Sequence, residues 1–492
     1  MSINFAAADG PRSLQTALRT HGPALYEAQL YASLGDLYVE KERFQDAAET
    51  YRAFGRRQPM DPQAPLLLVR ATEAYANGGF DSLVLDGKRE LVESYGPRSE
   101  FWDAQGDALD TRVSSSVQSG LLDLARHHHA TAQAEESRKD LALAVRWYRE
   151  YLDGFDDSPQ APPTRLLLAD LLFDDEQYLQ AADQYELAAY SYQDFAQAGR
   201  AGYAALVSYE KAAPNLARAQ TVEIQQRAVD SAVRFADTFP AHEQVPGVLT
   251  RATRIVFENG DRERAEALAQ RVLGLGVRVD ADGQRVAWSV LAHTYFDSGR
   301  YADSERAFAE LANRLPADDP ERTEVIERLA ASVYRQGEAR QAAGDAMAAV
   351  DEYLRVATVA PSSSIRATAE YDAATLLLNM QQWDRAVLVL QAFRRQHPQS
   401  ELQPEVTRKL AAAYLESGRS SEAAIEFERL ASSGDATPDM QRASLWQAAE
   451  LHARSGDGAA AARVYATYVE RFPQPFEPAL EARQELADLA GD

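Results

Sequence analysis

The 492-residue chain contains no cysteine. That excludes disulfides, thiolate catalysis and Cys-ligated metals, and it suits an oxidising compartment, where stray thiols mispair. No run of 18 or more apolar residues occurs, so no segment is expected to cross a membrane as a helix. Met1–Gly10 lacks the basic start and apolar stretch of a signal peptide. There is no Gly-x-x-x-x-Gly-Lys loop to cradle phosphate, and Gly274-Leu275-Gly276 is too short for a dinucleotide fingerprint. Period-2 alternation between turn residues is also missing, which predicts essentially no sheet. Basic charge is scarce, with 51 Lys and Arg against 75 Asp and Glu and a net charge of −24. A nucleic-acid partner would need a basic face, and an anionic membrane surface would repel this chain. The balance fits a soluble protein whose partner presents Lys or Arg.

Little else carries chemistry. His127, His128 and His129 form the one histidine cluster. Adjacent helical residues point about 100° apart, so the three cannot chelate one ion from one face; a solvated helical surface is the expectation. Glu135 and Glu136 lie beyond i+4 spacing from it. The other histidines are scattered, with no nucleophile signature beside them. Carboxylate pairs such as Asp156-Asp157 and Asp174-Asp175 read as surface caps at helix ends. The expectation is a protein that is not an enzyme and that holds no metal or cofactor.

What is present is repetition. Tyr31, Leu34, Gly35, Tyr38, Phe44, Ala47, Tyr51, Phe54 and Pro59 recur as Trp288, Leu291, Ala292, Tyr295, Tyr301, Ser304, Phe308, Leu311 and Pro316. Both sets occupy positions 4, 7, 8, 11, 17, 20, 24, 27 and 32 of a unit. Positions 4, 7 and 11 make one apolar stripe on a first helix. Small residues at 8 and 20 let the two helices of a pair approach, and large ones at 24 and 27 fill the space to the next pair. The closing Pro ends the second helix.

Position 20 runs Ala47, Ala144, Ala181, Ala228, Ala265, Ser304, Ala349, Ala386, Ala423, Ala461, with steps after Ala144 of 37, 47, 37, 39, 45, 37, 37 and 38. The two long steps place extra residues near Ala212–Ala219 and Gln336–Gly344. At ~1.5 Å per residue these predict helices that overhang their neighbours by roughly 12–15 Å. The unit around Ala265 fits poorly, with Glu263 and Arg264 where an aromatic is expected. Residues 64–79 and 81–95 read as a helix pair joined at Gly78-Gly79 and stopped by Gly96-Pro97. Residues 97–120, with Ser114-Ser115-Ser116, read as the weakest stretch and a joint. The expected division is 1–110 as N-terminal repeats and 111–492 as the main array. The first ~25 residues show no clear unit, and Pro478–Ala490 reads as a first helix without its second, serving as a polar cap or a cut repeat.

The pattern of an aromatic, Leu-Gly-x-x-Tyr, Ala-x-x-x-Phe and Pro resembles the tetratricopeptide repeat. The resemblance implies an all-α, right-handed α-solenoid of helix–turn–helix units that holds protein or peptide partners. It also implies a concave groove lined by first helices, at positions 5, 9, 12 and 13. In this chain those are Ala32, Asp36, Val39 and Glu40; Leu166, Asp170, Phe173 and Asp174; and Ser289, His293, Phe296 and Asp297. Further along they are Tyr371, Thr375, Leu378 and Asn379; Arg408, Ala412, Leu415 and Glu416; and Trp446, Glu450, Ala453 and Arg454. The Lys/Asn/Arg clamp of chaperone-binding members is missing at these positions. The mixture of Tyr371, Arg408, Trp446 and Arg454 points to the C-terminal units as the first to meet a partner, since aromatic and Arg side chains dominate interface hot spots.

The turns are similar to those of bacterial envelope members such as the outer-membrane assembly lipoprotein. They are Tyr148-Arg149-Glu150-Tyr151 before Asp157-Ser158-Pro159, Phe393 to Ser400, and Tyr468 to Pro473. Gly35 to Phe44, Gly79 to Leu85 with Lys88, Tyr353 to Ala357 before Ala360-Pro361, and Ala369 to Ala374 resemble tetratricopeptide proteins associated with TonB–ExbB–ExbD-like systems of proteobacteria. That likeness implies a periplasmic scaffold in an envelope energy-transduction or assembly system. The alternative is a cytoplasmic regulator that binds a peptide or small ligand in the groove.

Overall fold

A computed structural model describes residues 10–21, 26–105, 110–215, 218–434 and 436–491. The stretch 1–9, with most of the signal-peptide reading, lies outside them. Among the described residues there are 25 α-helices and no strand. The chain divides into two compact units, Met1–Val245 and Pro246–Asp492. The first holds α1 (Gly10–His21), α2 (Glu27–Glu40), α3 (Phe44–Arg57), α4 (Ala64–Asn77), α5 (Asp81–Tyr95) and α6 (Glu100–Gln105). It continues with α7 (Thr111–Glu135), α8 (Arg138–Phe155), α9 (Ala161–Asp174), α10 (Tyr178–Tyr190), α11 (Ala198–Ala212) and α12 (Arg218–Thr238).

The second unit begins within α13 (Val245–Glu258) and runs through α14 (Arg262–Gly274), α15 (Ala281–Asp297), α16 (Tyr301–Arg314), α17 (Pro320–Ala342) and α18 (Ala346–Val359). It ends with α19 (Ile365–Asn379), α20 (Trp383–Gln396), α21 (Gln403–Glu416), α22 (Ser420–Ala431), α23 (Pro438–Arg454), α24 (Gly458–Arg471) and α25 (Phe476–Gly491). Within each unit packing follows the chain, nearly every helix lying against its predecessor and successor. The all-α repeat architecture expected from the sequence is the one observed.

Position 20 explains the close pairing. Ala47, Ala144, Ala181, Ala265, Ser304, Ala349, Ala386, Ala423 and Ala461 are all fully buried. Ala228 is only half-buried, because α12 starts early and its core-facing residues are Val229, Ala232 and Phe235. Ala265 is buried despite its charged neighbours, so the poorly fitting unit still packs at its small residue. Introducing a larger side chain at this seam must force the helices apart. Ala386→Leu is therefore expected to cost roughly 1–3 kcal/mol in a urea melt, and an unchanged midpoint would refute the packing.

The turns inside pairs share a device not visible in the apolar pattern. Position 15 adopts a left-handed backbone in Gly260, Gly299, Gly344, Gly418 and Gly456, and also in Glu42, Glu176 and Gln381. The next residue's N–H then donates back to the carbonyl of position 11, as Arg419 does to Tyr414 and Asp345 to Arg340. This closes the first helix by satisfying a terminal carbonyl. Gly is favoured there because it has no Cβ to oppose the left-handed region.

The irregular stretches come out differently from one another. α17, at 23 residues, is the long helix expected near Gln336–Gly344. Near Ala212–Ala219 the extra residues instead make a short 3₁₀ turn, Ala213–Asn215, with the length taken up by the 21-residue α12. The expected joint at 97–120 is mostly helical. α6 occupies part of it, and α7 begins at Thr111 with Asp110 accepting from the Arg112 N–H as its cap. The serines lie inside that helix, between the buried Val113 and Val117, whose apolar face overrides serine's weak helix preference. Residues 106–109 of this stretch are outside the described set. The early residues do include one helix, α1, whose Leu14 and Leu18 are buried.

A few charges are buried with the core. Glu150 on α8 is 4% exposed, and its nearest cation, Arg146, is 3.9 Å away. Burial outweighs the attraction of Arg146 and Arg98 and pushes its carboxyl up. The folded chain thus holds this proton more tightly than the unfolded chain does. Stability from this group is complete below the ordinary carboxylate range and is lost as pH rises through the folded value. Glu150→Gln is expected to raise the melting temperature at pH 7 and leave it nearly unchanged at pH 4. Equal shifts at both pH values would refute the assignment.

Candidate functional site

A concavity of ≈ 380 Å³ opens between α21, α22 and α23. Pro404, Arg408, Ala412 and Leu415 form one stripe along α21 at helical i+4 and i+3 spacing. Phe427 and Leu430 of α22 line it as well, and Met440, Ala443 and Ser444 of α23 close the other side. Arg408, Ala412 and Leu415 occupy positions 5, 9 and 12 of their unit, three of the four positions read as inward-facing. Ala412 is exposed and Met440 is 41% exposed, so apolar surface faces solvent here. The lining is mostly hydrocarbon with a guanidinium at its edge, and that guanidinium is held on α21 by Glu405 at 2.8 Å. Such a surface can bury apolar side chains of a partner; it assembles no nucleophile, base or oxyanion donor set.

The acidic groove positions behave otherwise. Asp36 accepts the Tyr51 hydroxyl at 2.6 Å and pairs with Arg70 of α4 at 2.9 Å. Asp170 repeats the arrangement with Tyr185 at 2.6 Å and Arg200 of α11 at 3.1 Å. Position 9 thereby ties position 24 of its own pair to the next first helix. Burial, reinforced by the adjacent aspartate, drives both tyrosine hydroxyls far above their ordinary range. Asp297 pairs with Arg262 of α14 at 3.3 Å. Glu40, Asp174, Asn379 and Glu416 are exposed.

The remaining positions are partly committed to packing. His293 Nδ1 lies 2.8 Å from the Ser289 carbonyl, and its ring meets Phe308 edge-on at 5.2 Å. Tyr371 is half-buried beneath the Lys409 ammonium, 5.1 Å from the ring centre. Trp446 is half-buried against the edges of Tyr465 and Tyr468, at 5.6 and 5.5 Å. Its indole N–H donates to Glu450, which also faces Arg454 at 3.7 Å. Trp446 thus belongs in part to the seam with α24, and the ≈ 380 Å³ groove lies beside the N-terminal half of its helix.

The histidine cluster is a solvated surface only at His127, which is exposed; the other two turn inward. His128 is 6% exposed, and its Nδ1 lies 2.7 Å from Asp140 at the start of α8. Asp140 also accepts the Ser137 hydroxyl, and these two hydrogen bonds hold its carboxyl below the usual range. His129 lies 3.2 Å from the Tyr148 hydroxyl; burial lowers the imidazole and pushes the phenol up to about 12. These contacts need α7 to pack on α8, which the sequence run alone does not disclose. Among the described residues no three His, Cys, Asp or Glu side chains gather to hold a metal. No described helix is long and apolar enough to cross a membrane.

Sequence reasoning missed Phe427, Leu430 and Met440 as groove residues. They sit on a second helix and on the first turn of α23, and a rule that counts only first-helix positions passes over them. Met440, exposed in a helix that starts at Pro438, was the available signal.

The tetratricopeptide repeat family model matches residues 371–440, a span that includes α20, α21 and α22 and most of this groove. Among curated proteins none matches the chain significantly. Several solved structures are similar at low identity. One is a tetratricopeptide repeat protein from Parabacteroides merdae, 13% identical, covering 57% of this chain and 98% of that one with a TM-score of 0.23. Another is PilW, described as a widely conserved type IV pilus biogenesis factor, 16% identical, covering 50% and 99% with a TM-score of 0.22. A third is Naa15/Naa10 bound to HypK-THB, 12% identical, covering 94% and 67% with a TM-score of 0.27. Scores this low carry no inference about function.

Proposed function

We propose that this chain is a non-enzymatic scaffold that docks a protein partner through the groove between α21, α22 and α23. The observation that carries the reading is the ≈ 380 Å³ apolar concavity on which Arg408, Ala412 and Leu415 converge with Phe427 and Met440. Exposed apolar surface gathered in a concave site marks a binding surface more often than scattered apolar residues do. Of the N-terminal acidic positions Asp36 and Asp170 are taken up by Tyr and Arg contacts within the chain, while Glu40 and Asp174 are exposed without an apolar groove beside them, which favours the C-terminal units as the first to meet the partner. The same proposal places the chain in the periplasm, as part of an envelope energy-transduction or assembly system. The support there is the missing cysteine and the turn segments that resemble envelope proteins.

The groove volume also falls within the range of small-ligand pockets, which favours the rival reading of a cytoplasmic regulator. One experiment separates them. Ala412→Trp adds a large ring to an exposed position on the groove wall, so it should block docking without disturbing the core. Proteins captured from an envelope extract by the wild type should be lost by more than about tenfold with the variant, at an unchanged melting curve. Equal capture by both would refute the groove, and a protein found only in the cytoplasmic fraction would refute the compartment.

A further inference from the structure

A second cleft, in the N-terminal unit, is built around a guanidinium without a counter-ion. It measures ≈ 400 Å³ and lies between the connection after α10 and the last turns of α12. Arg234 lies over the Tyr190 ring at 3.9 Å from its centre, and Phe239 stacks with the same ring at 5.9 Å. Neighbouring arginines are committed, Arg165 to Asp156, Arg200 to Asp170 and Arg227 to Asp183. Among the described residues Arg234 has no carboxylate within ion-pair distance.

The geometry of that arginine matters. A guanidinium held over an aromatic ring is restrained in position while its N–H groups can still donate, so less ordering remains to be done when an anion arrives. Thr238, four residues on, lies on the same face of α12 and adds a hydroxyl to the cleft wall. Facing them, Tyr192 and Phe195 line the cleft with aromatic surface. Asp194 lies on the same connection, in a left-handed backbone that turns the chain.

We propose that this cleft binds the C-terminus of a partner polypeptide ending in a large apolar residue. A planar monoanionic carboxylate matches the guanidinium fork with two parallel hydrogen bonds. The cleft beside it has room and aromatic walls for one large side chain. Asp194 repels a second negative charge, which disfavours phosphate, and it can accept the peptide N–H adjoining the carboxylate. A chain terminus carries all three groups on one residue. This site is independent of the groove proposed above, which lies in the other unit, so either can fail alone.

The test uses the full chain and an array of hexapeptides with random bodies ending in Phe, Tyr, Leu or Ala, each made as free acid and as amide. The best free acid, labelled with fluorescein, is measured by anisotropy. It is expected to end in Phe, Tyr or Leu and to bind at least tenfold more tightly than its amide. Arg234→Met should reduce the acid to the level of the amide, and Phe195→Ala should weaken both forms. If the Met variant melts early, Arg234→Lys keeps the charge and the stem but loses the fork, and it should still lose most of the preference. Absence of binding, equal binding of acid and amide, a preference that survives Arg234→Met, or full displacement by millimolar inorganic phosphate would overturn the proposal.

Discussion

Arg57→Met is expected to destabilise the first repeats by about 3–5 kcal/mol, the scale at which a buried ion pair loses one partner. Glu27 opens α2 and is 3% exposed, while Arg57 closes α3 and reaches it with Nε and Nη2, both at 3.2 Å. Removing the arginine leaves a carboxylate enclosed beside Tyr31 with no other ion-pair partner among the described residues. Replacing both, Glu27→Met with Arg57→Met, removes the unpaired charge and should recover most of the loss. Because a repeat is coupled chiefly to its neighbours, the damage should stay local. Hydrogen exchange should quicken at the amides of α2 and α3 and hardly change in the C-terminal unit. A double variant as unstable as the single one would mean that the pair matters for its shape and packing, with charge secondary.

How much of this was legible in the residue string depends on the kind of contact. Contacts inside one pair of helices are periodic in sequence, so Ala47, Ala386 and Ala423 could be placed on the seam from spacing alone, and all three are fully buried. Gly35 was legible for the same reason: a Cβ there would come within 2.2 Å of the Tyr51 ring, sixteen residues on. The same spacing links Gly337 to Tyr353, at 2.5 Å, a pair that the long step before Ala349 obscured. Where two helices of unusual length meet, the period breaks and the reading fails, as it did for Ser114–Ser116 inside α7.

The candidate sites were less legible, because they depend on contacts between repeats. Position 9 could be read as facing the groove, but the commitment of Asp36 to Arg70 and of Asp170 to Arg200 involves residues 34 and 30 positions away. The C-terminal groove needs the second helix α22 and the start of α23 to be placed beside α21. His128 looked solvated because a run of three histidines is polar, whereas its partner Asp140 stands on the next helix. Composition says what a side chain prefers; the neighbouring repeat decides whether that preference is met.

Trp147 gives the second large effect. It leads the fully buried side chains by volume, at 1% exposure, within the core cluster of the N-terminal unit. Trp147→Ala is expected to cost about 3–5 kcal/mol, since the ring's transfer energy is lost and the surrounding helices can close the space only in part. The indole carries a penalty of its own, because Nε1 is buried without a hydrogen-bond partner among the described residues. An unpaired buried donor costs roughly 1–3 kcal/mol, so the tryptophan is retained for its area in spite of its nitrogen. Trp147→Phe keeps most of the ring and discards the unpaired donor. It should cost clearly less than Trp147→Ala, because the smaller loss of volume leaves a smaller cavity. Urea melts of the two variants decide the matter. If Phe costs as much as Ala, the indole N–H itself contributes to stability, and Trp147 is held by polarity as well as by packing.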